Sequence, residues 1–149
     1  MHTQNILVFA LAMVSATVSA TAQANDRTVM LPLAAAMGAN DAQAKLDNTV
    51  KFYFGDQPVA GAFKALDSAK TSQKTNAFAK SDATACNWVF LSAMLQLQKH
   101  AQQVGADVVT NIRSNYNNEE KSSQTEFECH VGAIMAGVAL KADFGKMEK

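Results

Sequence analysis

Several things are scarce in this chain of 149 residues, and each scarcity removes a class of function. Charge of one sign is missing: 13 Lys and Arg balance 13 Asp and Glu, and all of them follow residue 24. Nucleic-acid binding depends on clustered Lys and Arg that neutralise phosphates, so nucleic acid is not an expected partner. Cysteine occurs twice, at Cys86 and Cys129, and histidine three times. Neither forms the close pair, Cys-x-x-Cys or His-x-x-x-His, typical of zinc and copper sites. Gly132 and Gly137 have the spacing of a phosphate loop, but Val138 and Ala139 stand where that loop needs a lysine and a hydroxyl. Without those two groups nothing reaches the outer phosphates or holds magnesium, and the surrounding apolar run reads as a buried strand. No cofactor is expected. After residue 24 no apolar run approaches the ~20 residues of a membrane span. There is no internal repeat and no low-complexity segment.

What is present begins with a leader. Met1 to Asn5 is polar, Ile6 to Val14 is apolar, and small residues follow to Ala22-Gln23-Ala24. That is the pattern of a cleavable export signal. Ser15, Thr17, Ser19 and Thr21 interrupt the apolar stretch, which argues against an uncleaved anchor. No cysteine lies near the cleavage region to carry a lipid. Cleavage after Ala24 leaves residues 25–149 as one domain, long enough to bury a core and without a stable membrane span.

Along that domain, Thr28 to Leu33 contains Pro32 and reads as an edge strand or lead-in. Asn40 to Asp47 favours a short helix, and Thr49 to Phe54 a strand that stops at Gly55-Asp56-Gln57-Pro58. Residues 62–80 have no sustained period; a second strand is preferred, with a loop as the alternative, and Thr71 to Lys80 reads as a loop rather than a domain boundary. Ser81 or Asp82 then caps a run to Val104 in which Cys86, Val89, Phe90, Ala93, Leu97, Ala101 and Val104 form one apolar stripe, ended by Gly105. Ala106 to Ile112 reads as a strand, Asn115 to Ser123 as an exposed turn, and Ala133 to Phe144 as a final strand. Between the last two, Thr125 to Val131 alternates: Thr125, Phe127, Cys129 and Val131 face one way and Glu126, Glu128 and His130 the other. The expected fold is α+β, one long amphipathic helix packed on a mostly antiparallel sheet.

Cys86 and Cys129 both point into the layer between helix and sheet. In an exported chain with an even count, a disulfide is the natural pairing. It would close a loop of about 43 residues and contribute about 3–4 kcal/mol by loop entropy. The alternative is two buried free thiols packed as small apolar groups. His130 follows Cys129 on a strand and so points to the opposite face, and His100 lies ~21 Å along the helix from Cys86, so a Cys–His nucleophile or metal pair is disfavoured. Glu126, Glu128 and His130 form either a solvated row or, if they converge in a cleft, an acid–base set. Trp88 and Tyr116 complete a possible binding surface with those three residues, because aromatic side chains are enriched in recognition patches.

Lys74-Thr-Asn-Ala-Phe-Ala-Lys-Ser-Asp82, Ala85-Cys-Asn-Trp88, Lys51-Phe-Tyr-Phe-Gly-Asp-Gln57 and Glu126-Phe-Glu-Cys-His-Val-Gly-Ala-Ile-Met-Ala-Gly-Val138 together resemble a family of small exported Gram-negative proteins often labelled "excinuclease ATPase subunit". The label implies P-loops and zinc-binding cysteines, and this sequence carries neither motif, so no residue role comes with it. The step from the helix through Val-Gly-Ala-Asp-Val-Val into a hairpin and a glycine-containing strand is similar in architecture to the Rcs envelope-stress sensor lipoprotein and to YbjQ-like small domains. Likeness of fold does not carry function. These resemblances imply a periplasmic location. The expectation is a non-enzymatic periplasmic domain that binds a protein or envelope component; the alternative is a redox or metal-binding protein using Cys86, Cys129 and a histidine.

Overall fold

The computed structural model describes residues 26–149, and the expected leader over residues 1–24 lies outside them. The chain is α+β with a mostly antiparallel sheet of seven strands. In order it forms β1 (Arg27–Pro32), α1 (Leu33–Gly38), α2 (Asn40–Lys45), β2 (Lys51–Phe54), β3 (Phe63–Asn76), α3 (Asp82–Val104), β4 (Val108–Tyr116), β5 (Glu119–Lys121), β6 (Glu126–Val131) and β7 (Met135–Met147).

The sheet is organised by β7, which is long enough to serve three partners. Along one edge β3 pairs with it antiparallel from Phe63↔Met147 to Asn76↔Met135. The other edge is shared: β6 takes its beginning, at His130↔Gly137 and Val131↔Ala136, and β4 takes its end, from Val108↔Gly145 to Ser114↔Leu140. The two branches then continue separately. β6 pairs with β1, whereas β4 pairs with β5 and, in the sheet's parallel pairing, with β2. A register shift in β4 falls between Thr110 and Arg113, where Asn111 takes φ 51°. Asparagine tolerates this left-handed conformation better than most residues.

Local chemistry explains α3. Ser81 has extended dihedrals and its Oγ accepts the Thr84 backbone N–H (3.1 Å), satisfying one of the orphan donors of the first turn. At the other end Gly105 takes φ 76° and its N–H returns to the Ala101 and Gln102 carbonyls. Between these caps Cys86, Val89, Phe90, Ala93, Met94, Leu97 and Ala101 are buried. They meet Phe127, Cys129 and Val131 of β6, Val138, Leu140 and Phe144 of β7, and Val109 and Ile112 of β4. Phe90 anchors this layer, stacked on Phe127 with ring centroids 4.3 Å apart and 6.2 Å from Phe54.

Two segments differ from the sequence expectation. The loop expected over Thr71 to Lys80 is strand as far as Asn76, because β7 supplies a partner for every residue of it. Its helix-facing side chains are Ala69, Thr71, Gln73 and Thr75, small or polar, so no apolar alternation marks it. The exposed turn expected over Asn115 to Ser123 is a hairpin: β4 runs on to Tyr116, Asn117 and Asn118 turn the chain with φ 52° and 61°, and β5 returns. Successive positive φ angles are what a tight hairpin turn requires, and Asn is well suited to both positions.

Candidate functional site

Cys86 and Cys129 form a disulfide (Sγ–Sγ 2.02 Å, Cα–Cα 5.9 Å), and both residues are fully buried. The bond ties the second turn of α3 to the centre of β6. With both sulfurs consumed and shielded from solvent, no thiolate is presented for exchange, nucleophilic attack or metal ligation. His100, near the end of α3, pairs instead with Asp67 of β3 (Nε2–Oδ2 2.7 Å), and that hydrogen bond is the main reason the Asp67 carboxyl lies below its ordinary range.

On the opposite face of β6 the three polar side chains have different environments. Glu126 is exposed and makes no side-chain hydrogen bond among the described residues. Glu128, expected to be solvated, is only 2% exposed. The β4–β5 hairpin accounts for this, since it brings Tyr116 and Lys121 over the strand. Lys121 Nζ lies 2.6 Å from Glu128 Oε2, an ion-pair contact without good hydrogen-bond alignment, and His130 Nε2 lies 2.7 Å from Oε1. Tyr116 stacks on the His130 imidazole, with ring centroids 3.3 Å apart and planes 8° from parallel. Thr28 of β1 approaches His130 Nδ1 at 3.5 Å. Burial pushes the Glu128 carboxyl up, but its contacts with the Lys121 ammonium and then with His130 outweigh it and hold the group below its ordinary value. An ionised carboxylate can only accept, so His130 donates its Nε2–H.

This cluster joins β1, β4, β5 and β6. Both carboxylate oxygens are engaged and one face of the imidazole is covered, which leaves little access for a substrate. The arrangement clamps strand edges. Glu126 stands outside it, so the three residues do not converge as an acid–base set. Among the described residues no three His, Cys, Asp or Glu side chains gather as metal ligands.

Trp88 belongs to another part of the molecule. It projects from α3, 48% exposed, with Lys45 Nζ 4.8 Å from the ring centroid. The indole separates two shallow grooves. One, of about 380 Å³, runs to Thr75, Asn76 and Lys80; the other, of about 210 Å³, runs to Ala42 and Leu91. Beside the first groove, a hydrogen bond from the Ala77 N–H to the Ile134 carbonyl (2.8 Å) holds the loop after β3 against the turn before β7. Those two loops expose Phe78 (69%) and Ile134 (60%), and Met135 at the start of β7 is exposed beside them. Tyr116, Glu128 and His130 thus form one group, whereas Trp88 lies with side chains that sequence reasoning passed over. The missed signal for Phe78 was positional, since it sits between the polar Asn76 and Lys80 in a turn; Ile134 was expected inside the final strand from Ala133, but β7 starts at Met135 and leaves Ile134 in the turn before it.

The chain matches no family model, no curated protein and no solved structure. Among the described residues no helix is long and apolar enough to cross a membrane.

Proposed function

We propose that this chain is an exported, non-enzymatic periplasmic domain whose apolar end binds another envelope protein. The observation that carries the reading is the set of large apolar side chains left exposed at this end: Trp88 on the groove at Asn76 and Lys80, and Phe78, Ile134 and Met135 on the segments that adjoin Asn76 through the Ala77–Ile134 hydrogen bond and the Asn76↔Met135 pairing. Exposed large apolar groups at one end of a domain with a filled core are a usual mark of a docking surface. Lys45 above the indole and Lys80 at the groove edge give this patch a positive border. The partner it fits is a protein segment with a large apolar side chain flanked by carboxylates. The leader sequence and the buried disulfide support export, because such bonds persist in oxidising compartments. The closed Glu128–His130 cluster supports a role without a chemical step.

Proximity labelling in the periplasm, with the wild-type chain and a Phe78→Ser/Ile134→Ser variant, tests this. Both positions are solvent-exposed, so the variant keeps its fold and melting temperature. The expected outcome is a labelled protein that disappears with the variant. Identical labelling by both chains, or no reproducible labelling by the wild type, contradicts the reading.

A further inference from the structure

The face of the sheet without α3 carries a second concavity, unrelated to the apolar end. Along β3 the side chains alternate. From Ala69 to Thr75 half-buried and exposed residues alternate, the half-buried ones facing α3, so Lys70, Ser72 and Lys74 point to the other face. There they form one wall of a groove of about 470 Å³. The opposite wall is the β4–β5 hairpin, with Asn115, Tyr116 and the turn asparagines, and Ala139 of β7 forms the floor. The volume lies within the range of small-ligand sites.

Three features of this groove point the same way. First, its lining contains two lysines and no carboxylate among the described residues, in a chain of zero net charge. The neighbouring acids are already committed: Glu120 to Arg113 and Lys141, Glu128 to Lys121 and His130, and Asp143 to Ser68 and Asn111. Glu119, on the hairpin's return strand, is exposed and lies outside the lining. Second, Lys70 Nζ donates to Asn118 Oδ1 (3.1 Å), whereas Lys74 has no ion-pair or hydrogen-bond partner for its ammonium among the described residues. Third, Asn115 is only 8% exposed, lines the groove, and its side-chain amide makes no hydrogen bond among the described residues. The amide is not sealed from solvent, so it opens into the groove as a free donor and acceptor. Its NH₂, the Lys74 ammonium and the Ser72 hydroxyl are donors facing the same space. Tyr116, braced by its stack on His130, makes a fixed aromatic edge.

We infer that this groove is a binding site for an oxyanion-bearing polar ligand, a carboxylate or a phosphate on a small hydrophilic molecule. The oxyanion sits between Lys74 and the Asn115 amide, the hydrophilic remainder along Ser72 and the turn asparagines, and Tyr116 covers one side. No chemistry follows from binding, because the lining supplies donors and no base.

The test is a ¹⁵N NMR titration of the oxidised domain with inorganic phosphate, glucuronate and, as a neutral control, glucose. The expected result is saturable movement of the Asn115 side-chain NH₂ and the Tyr116–Asn118 amides with phosphate, glucuronate or both. Lys74→Gln should weaken it about tenfold, as expected for loss of a hydrogen bond to a charged group. Response to phosphate alone assigns a phosphorylated ligand, and response to glucuronate alone a carboxylated one. No saturable movement with either anion, an equal response to glucose, or an unchanged response in Lys74→Gln overturns the inference. Trp88 and Phe78 resonances report separately on the apolar end, so failure here leaves the docking proposal intact.

Discussion

The two faces of the sheet are built on different physical terms. Under α3 the layer is apolar and closed: Phe90, Phe127 and Phe144 lie in one core with the Cys86–Cys129 bond, Phe144 at its other end against His100. The other face has no helix over it and is organised by charge. There Arg113 and Lys141 share Glu120, Lys121 and His130 share Glu128, and a hairpin takes the place of a covering element. Burial of aromatic and aliphatic groups is worth several kcal/mol per side chain, whereas exposed ion pairs contribute well under 1 kcal/mol each. Stability should therefore reside under the helix, leaving the open face to specify strand position and present polar groups. The difference also bears on the search for chemistry, since the cysteines lie on the closed face and the histidine beside them in sequence lies on the open one.

Predictions that would break this contrast can be ordered by size. Phe90→Ala should be the most damaging, about 3–5 kcal/mol in urea unfolding, because it empties the centre of the aromatic stack. A loss under 1 kcal/mol would mean the closed face is not packed as described. Replacing both cysteines by alanine should cost about 3–4 kcal/mol, and reducing the parent protein should reproduce most of that loss. Equal melting of all three forms would remove the covalent staple from the account. Glu128→Gln should cost about 1–2 kcal/mol, since Lys121 and His130 then lose the charge of their shared acceptor. Its pH signature has a definite sign: the folded-state value is depressed, so the stability Glu128 adds is present above the ordinary carboxyl value of 4.5 and disappears as pH falls through the depressed one. The variant should lack that portion of the acid limb. Glu120→Gln should have the smallest effect. Hydrogen bonds from Arg113 and then Lys141 hold Glu120 at about 2, so its contribution fades between pH 4.5 and 2, and the variant's unfolding curve should flatten in that window. A larger loss for Glu120→Gln than for Phe90→Ala would invert the contrast.

Much of the closed face was legible in the sequence. Ser81, Gly105 and the three-and-four spacing of Cys86, Val89, Phe90, Ala93 and Leu97 marked the span of α3, and alternation in β6 showed which way Cys129 points. Those two periods put both sulfurs in one layer; the pairing itself was inferred from expected export and the even count, with free buried thiols as the alternative. The open face was far less legible, for reasons that are physical. Alternation assigns Glu128 to a face but cannot tell what covers that face, and the covering residues, Tyr116 and Lys121, come from a hairpin that reads as a polar turn. A strand was preferred for residues 62–80, but its extent through Thr71 to Asn76 was hidden, because the partner β7 is distant in sequence and the side chains of that half are all polar. The exposed Phe78 lies in a turn and carries no periodic signal, and Ile134 was absorbed into the apolar run of the expected final strand, although β7 begins one residue later.

Intact mass of the protein from freshly isolated periplasm, alkylated under denaturing, non-reducing conditions, tests most directly the claim that this is an exported domain held by a buried covalent bond. The account predicts a chain that begins at Asn25, carries no alkyl group, and is two hydrogens lighter than its reduced form. Two alkyl groups per chain, or a mass that retains residues 1–24, would contradict it.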